Sequence, residues 1–262
     1  MQPAAVETDI REAEIQDANQ IYDLLVDGFD KRYLPYTIFQ PSQSVVYLKR
    51  LIEHGFERSG HLFSVRVLDG KLRGFYDAVM RQTEFFLNYI AVAQSERGNG
   101  IGGMLLTHFE TKGTLCGCQQ YVLDVFESNV RAYHWYLNQG YQVESASFQV
   151  RVSTADGLTR RGQPLLITAD DFQRAVNEEQ VQGFSKVDGV CGTGQITVGL
   201  IGGQVCKLLG YHEVDLVGAV ASVCTRFQTD RPVLIVPSLP ELPSAWPILD
   251  YEKALRLVKA NS

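Results

Sequence analysis

The stretch Val92-Ala93-Gln94-Ser95-Glu96-Arg97-Gly98-Asn99-Gly100-Ile101-Gly102-Gly103 leaves an apolar, strand-like run at Phe85–Val92 and enters a segment of helical periodicity. Ile101, Met104, Leu105, His108 and Phe109 recur at i, i+3, i+4, i+7 and i+8, which predicts a helix with one buried face. Glycine at 98, 100 and 102 lets the backbone turn tightly and approach a ligand with no Cβ in the way. The first N–H groups of the helix have no partner inside it and sit at the positive end of its dipole. The junction therefore reads as a cradle for phosphate.

Several glycine loops share this physics, and the flanking residues separate them. A P-loop would open its helix with Gly-Lys-Ser/Thr, whereas this chain has Gly103-Met104-Leu105. The letters Gly98-x-Gly100-x-x-Gly103 match the dinucleotide fingerprint and Asp124 follows at a fitting distance, but several strands and helices precede the loop. The same residues also read Arg97-x-x-Gly100-x-Gly102, directly after a strand ending Ile90-Ala91-Val92. Downstream, strand-like Tyr121–Phe126 runs through Glu127-Ser128 into Asn129-x-x-Ala132-x-x-Trp135-Tyr136-x-x-x-Gly140-Tyr141. Asn129 or Ser128 suits the start of a helix, and Gly140 suits a left-handed residue beyond its end. Asn129, Ala132 and Tyr136 then share one face.

Together the two motifs resemble those of the GNAT superfamily of N-acetyltransferases, whose second pattern is Asn-x-x-Ala-x-x-Leu-Tyr-x-x-x-Gly-Phe. Only Trp135 and Tyr141 depart from it, and both are bulky and largely apolar. The resemblance spans roughly residues 8–152 and implies an α/β fold, a GNAT-like mixed β-sheet flanked by helices. Strands are expected from Asp9, over Leu62–Leu68 and over Gly74–Met80, with helices at Ile15–Phe29 and across Ser44–His54. The resemblance also implies acetyl-coenzyme A as cosubstrate, with no metal. The backbone of Ile90, Ala91 and Val92 would pair with the pantetheine arm, and Arg97, Gly98, Asn99, Gly100, Ile101, Gly102 and Gly103 would hold the pyrophosphate. Asn129 would bond the arm or cap its helix. Tyr136 would protonate the departing sulfur, its alternative being a core aromatic.

An attacking amine must be neutral, so a base or desolvation is required. Glu84, ahead of the central strand, is the expected general base or a solvated strand-end charge. Glu127 and Asp124 would bind a substrate amine, and His134 falls on another helix face. Tyr33 and Tyr36, between the first helices, line the acceptor cleft or simply pack.

With 24 basic and 30 acidic side chains, the net charge of −6 gives no general attraction to nucleic acid or an anionic membrane. No apolar run has the length of a membrane span and the start lacks signal-peptide character, so a cytoplasmic protein is expected. Five cysteines read as reduced thiols, and Cys116-Gly117-Cys118 has no second ligand pair for a metal.

The division expected is a GNAT domain over 1–152, a linker over 153–163 and a second, smaller α/β domain over 164–262. In the latter, strands are expected at Pro164–Thr168, Gln195–Ile201, Gln204–Leu209 and Val233–Val236, with helices at Ala169–Val181, Leu216–Phe227 and Asp250–Lys259. This order echoes the first half without its Arg-x-x-Gly-x-Gly, giving either a degenerate GNAT-like repeat that cannot bind coenzyme A or an unrelated domain. The functional expectation is an N-acetyltransferase moving acetyl from acetyl-coenzyme A to a primary amine, of a small molecule or a protein, by direct attack in a ternary complex. A homodimer is compatible with it. The alternative is a non-catalytic acyl-coenzyme A sensor.

Overall fold

Period-2 runs joined by tight turns begin the molecule, a computed structural model that describes residues 10–39, 41–153, 164–203, 205–229, 232–239 and 246–261. The first half contains β1 (Ile10–Glu12), α1 (Ala18–Gly28), α2 (Ser44–Ser59), β2 (His61–Leu68), β3 (Lys71–Arg81), β4 (Glu84–Val92), α3 (Ile101–Leu115), β5 (Gln120–Phe126), α4 (Val130–Asn138) and β6 (Gln142–Val152). The second contains β7 (Leu165–Leu166), α5 (Ala169–Gln182), β8 (Phe184–Cys191), β9 (Gly194–Ile201), β10 (Val205–His212), α6 (Leu216–Phe227), β11 (Val233–Val236) and β12 (Ile248–Ala260).

Among the described residues these strands form one mixed sheet of twelve, ordered β1-β2-β3-β4-β5-β12-β6-β11-β10-β9-β8-β7. Read from either end the pattern is the same. β4 and β5 are parallel, as are β10 and β11. β12 closes the first set antiparallel to β5, β6 closes the second antiparallel to β11, and the two closing strands pair with each other. Each half therefore receives its last strand from the other.

Alternation within the strands sorts side chains to the two faces. Phe63, Val65 and Phe75 pack under α1 and α2, whereas Tyr76, Phe85, Leu87 and Leu123 pack under α3 and α4. Leu255 and Leu257 of β12 belong to this second cluster. A third cluster joins Ala175 of α5 and Val220 and Val223 of α6 to β8–β11, with Val150 and Val152 of β6.

Several expectations need correction. Asp250–Lys259 is not a helix but the middle of β12. Its Ala, Leu, Glu and Lys content favours helix, yet the open edges of β5 and β6 leave a strand-shaped vacancy whose ladder overrides that preference. β8 was not anticipated, and the strand expected at Pro164–Thr168 is only Leu165–Leu166. The first helix opens with a 3₁₀ turn at Ile15–Asp17. On α3, Met104 is exposed and Leu106 is buried in its stead. Asp9, residues 154–163 of the linker, and Gln204 lie outside the described residues.

Candidate active site

The cleft originates in a mismatch between two parallel strands. β4 and β5 are paired only from Glu84–Leu87 to Gln120–Leu123. At Asn88 the β4 register against β3 slips by one residue, since Leu87 faces Ala78 and Tyr89 faces Asp77. Such a bulge bends a strand and ends its pairing. The bulge is fastened from behind: the Asn88 Nδ2 donates to Asp77 Oδ2 at 2.7 Å, and buried Asp77 also meets His61 Nδ1 at 3.0 Å. Beyond it the strands part around a cleft of about 840 Å³, lined by Ile90, Ala91 and Val92 on one side and Asp124, Val125 and Phe126 on the other.

One end of the cleft is the glycine loop. Gly98 and Gly100 have φ of 91° and 81°, a backbone region that only glycine enters readily. Gly100 caps α3 without a side-chain acceptor, and the first N–H to bond back into the helix is that of Met104, to the Gly100 carbonyl at 3.1 Å. Gly102 and Gly103 are helical. A Cβ on Gly102 would make ordinary contact with the Trp135 ring at 3.5 Å and Val92 at 3.9 Å, and one on Gly103 would meet nothing within 4 Å. Glycine inside a helix costs about 1 kcal/mol relative to alanine. The protein's own packing therefore does not require either residue, and a group lying against the helix start would.

Arg97 lines the rim, exposed, with its Nε on the Val92 carbonyl at 3.3 Å. Asn99 is outside the lining; its N–H bonds the Glu96 carbonyl. Asn129 lines the cleft and its side chain accepts from the Ala132 N–H, so it caps α4. Gly140 follows that helix with φ of 88°. About two turns along α4 from its Asn129 cap, Tyr136 is 6% exposed and lines the cleft, held edge-on by Tyr141. Burial pushes its phenol well above the ordinary value, so it remains protonated. None of the described residues bonds its hydroxyl.

The far end is built by both halves. Tyr33 stacks on Phe126 with centroids 4.6 Å apart and shares a hydrogen bond with Ser128 Oγ, while Tyr36 bonds Asp250 of β12. Both tyrosines line the cleft, as do Gln149 of β6, Lys207 of β10 and Ala254 of β12. Lys207 is buried, and its Nζ donates to the Tyr36 carbonyl and to Gln149 Oε1, each at 2.7 Å.

Besides Asn99, two expected site residues fall elsewhere. Glu84 begins β4, at the end opposite the glycine loop, accepts from Gln120 Nε2 at 2.9 Å, and does not line the cleft. Glu127 is exposed, paired with Lys253 of β12 at 2.7 Å, and also lies outside the lining. Asp124 is in the lining, but Arg256 of β12 holds it at 3.0 Å. His134 is exposed at the rim. Sequence reasoning missed Lys207 and Gln149. The signal for Lys207 was a single charge inside Val205-Cys-Lys-Leu-Leu209; nothing marked Gln149.

Among the described residues no cluster could hold a metal ion, and no helix is long and apolar enough to cross a membrane. All five cysteines are free thiols; Cys116 is exposed and the others are buried.

The acetyltransferase (GNAT) family model matches residues 18–141. Among solved structures, a tandem GNAT protein from the clavulanic acid biosynthesis pathway is 12% identical, with 97% of this chain and 98% of that one covered and a TM-score of 0.66. A protein from Pyrococcus horikoshii is 14% identical over 96% of this chain and 88% of its own, at a TM-score of 0.63. A GCN5-related N-acetyltransferase from Sphaerobacter thermophilus is 14% identical over 96% and 95%, at 0.61. At such identities the likeness concerns the fold, and it extends over both halves. No curated protein matches the chain.

Proposed function

We propose that residues 18–141, which the acetyltransferase (GNAT) family model matches, act as an acetyltransferase domain and that the chain transfers acetyl from acetyl-coenzyme A to a primary amine by direct attack in a ternary complex. The observation that carries the reading is the pair of helical glycines, Gly102 and Gly103, that the protein's own packing leaves open at the α3 N-terminus. They clear an approach to N–H groups that have no helical partner, where a pyrophosphate would sit. The parted edge of β4 at Ile90–Val92 supplies backbone groups for the pantetheine arm.

In the reaction the amine nitrogen bonds the thioester carbonyl carbon and the carbon–sulfur bond breaks. Tyr136 gives its proton to the leaving thiolate, a role that its position in the cleft and unengaged hydroxyl support, and burial keeps the phenol protonated until then. With Glu84 and Glu127 outside the cleft and Asp124 held by Arg256, the amine proton passes to solvent water.

The two halves share strand order but not this site. At the corresponding position α6 is capped by Asp215, whose carboxylate accepts the Val217 N–H at 3.2 Å. A negative side chain there occupies the place that Gly100 leaves free at α3, so the second half is read as a GNAT-like unit that does not take coenzyme A.

The test is Gly103. Gly103→Ala should raise the stability of the free protein by about 1 kcal/mol, as a helix glycine is removed without a clash. Gly103→Val should weaken acetyl-coenzyme A binding at least tenfold in calorimetry while the protein stays folded. Unchanged affinity would reject the cradle. Released thiol across an amine panel then separates transfer from binding alone.

A further inference from the structure

Lys207 belongs to the second half, yet its ammonium stands in the cleft of the first. From β10 it reaches over β11 to the Gln149 carboxamide on β6 and to the Tyr36 carbonyl, both 2.7 Å away. Both partners are neutral. Among the described residues no carboxylate lies within ion-pair distance of its Nζ. The nearby acids are engaged: Asp250 by Arg151 and the Tyr36 hydroxyl, Glu252 by Ser128 Oγ at 2.5 Å. An ammonium has three N–H donors, and two are accounted for. Lysine is almost never buried without a counter-charge, because desolvation of the cation is expensive. Here burial alone pushes the pKa down to about 8, so most of the population still carries its charge at neutral pH.

The phosphates of coenzyme A do not explain this cation, because their cradle is the glycine loop beyond β4. Gln149, where the Lys207 Nζ arrives, is on β6, separated from β4 by β5 and β12. Three strand spacings amount to about 14 Å. The intervening cleft is where an acceptor would enter.

We propose that Lys207 anchors an anionic group of the acceptor: the amine acetylated in this cleft carries a carboxylate or phosphate several atoms from its nitrogen, and that anion pairs with the Lys207 ammonium. The inference rests on the transferase reading above and names the substrate class for the same site. An arriving anion supplies the counter-charge that the protein withholds, and the length of the linker between anion and amine sets which nitrogen reaches the thioester.

The experiment uses the full chain and pairs of amines differing in charge: ω-amino acids from glycine to aminohexanoate against their amides, and phosphoethanolamine against ethanolamine. On the anionic member, kcat/KM should be at least tenfold higher, with the two arms telling carboxylate from phosphate. That preference should vanish in Lys207→Met and in Lys207→Gln, the second of which keeps a donor near Tyr36 and Gln149. Calorimetry of the same pairs on protein saturated with coenzyme A reads the preference without turnover. Equal affinity for anionic and neutral members, or a preference surviving both substitutions, overturns the proposal. So does acetylation of Lys207 itself, seen by peptide mass spectrometry, which would make it an acceptor. If acetyl-coenzyme A fails to bind the native chain, the transferase reading falls first and the anchor falls with it; intact binding with no anion preference removes only the anchor.

Discussion

Tyr136 differs from the other buried tyrosines of its core cluster in what its hydroxyl does. Tyr76 bonds His108 at 2.8 Å, Tyr141 bonds Glu110 at 3.1 Å and Tyr121 bonds Asn261 at 2.8 Å, whereas Tyr136 has no described partner. Tyr136→Phe therefore removes an acid without removing an internal bond. Its single-turnover acetyl-transfer rate should fall at least about tenfold, within the usual range for a general acid, while its thermal midpoint hardly moves. Lys207 makes a different prediction. Its pKa falls from 10.5 to about 8 on folding, so between those values the unfolded chain binds a proton that the native chain does not. Stability should consequently rise with pH from about 8 to about 10.5 relative to Lys207→Met, by up to roughly 3 kcal/mol, measured by urea denaturation at each pH. At this scale the placing of the glycine loop, Asn129 and Tyr136 along the cleft was legible in local spacing, because a loop and a capped helix carry their own signatures, and Tyr33 and Tyr36, expected from their place between the first helices, line it as well. The base could not. Glu84 is close to the cleft in sequence terms but at the wrong end of its strand, and strand direction relative to a cleft is set by pairing.

Among the elements, β12 shows where local pattern fails. Lys253-Ala-Leu-Arg-Leu-Val-Lys259 is rich in good helix formers, and only the ladders to β5 and β6 make it a strand. Once there it contributes Leu255 and Leu257 to the core beneath α3 and α4, and Arg256 and Lys253 as partners of Asp124 and Glu127. Leu257 is fully buried, so Leu257→Ala should destabilise by about 2–5 kcal/mol in chemical denaturation. The opposing Arg256→Ala should cost far less, since its exposed ion pair is worth at most about 1 kcal/mol. α3 makes a complementary point. A Cβ on Gly113 would lie 2.8 Å from ring atoms of both Phe85 and Tyr121, so Gly113→Val should lower the thermal midpoint sharply, opposite in sign to Gly103→Ala on the same helix.

For the whole molecule, the succession of strands and helices was legible through the first half, because period and turn chemistry are local, whereas the second half holds β8, which was not anticipated, and β12, a strand where a helix is expected. The exchange of closing strands was not legible, because it depends on which edges remain open after the rest has paired. A chain ending at Ser153 would leave β5 without β12 and β6 without either neighbour. We expect such a fragment to self-associate in size-exclusion chromatography and to lose acetyl-coenzyme A affinity, since unpaired edges recruit other chains. The exchange also imposes a schedule on biosynthesis. β12 begins about 120 residues after β5 ends, which at ribosomal speeds of about 5–20 residues per second is a wait of roughly 6–24 s. During that interval the nascent first half has no native partner for its open edge, so vectorial, half-by-half maturation is closed to this chain and its cleft is completed only after β12 has emerged.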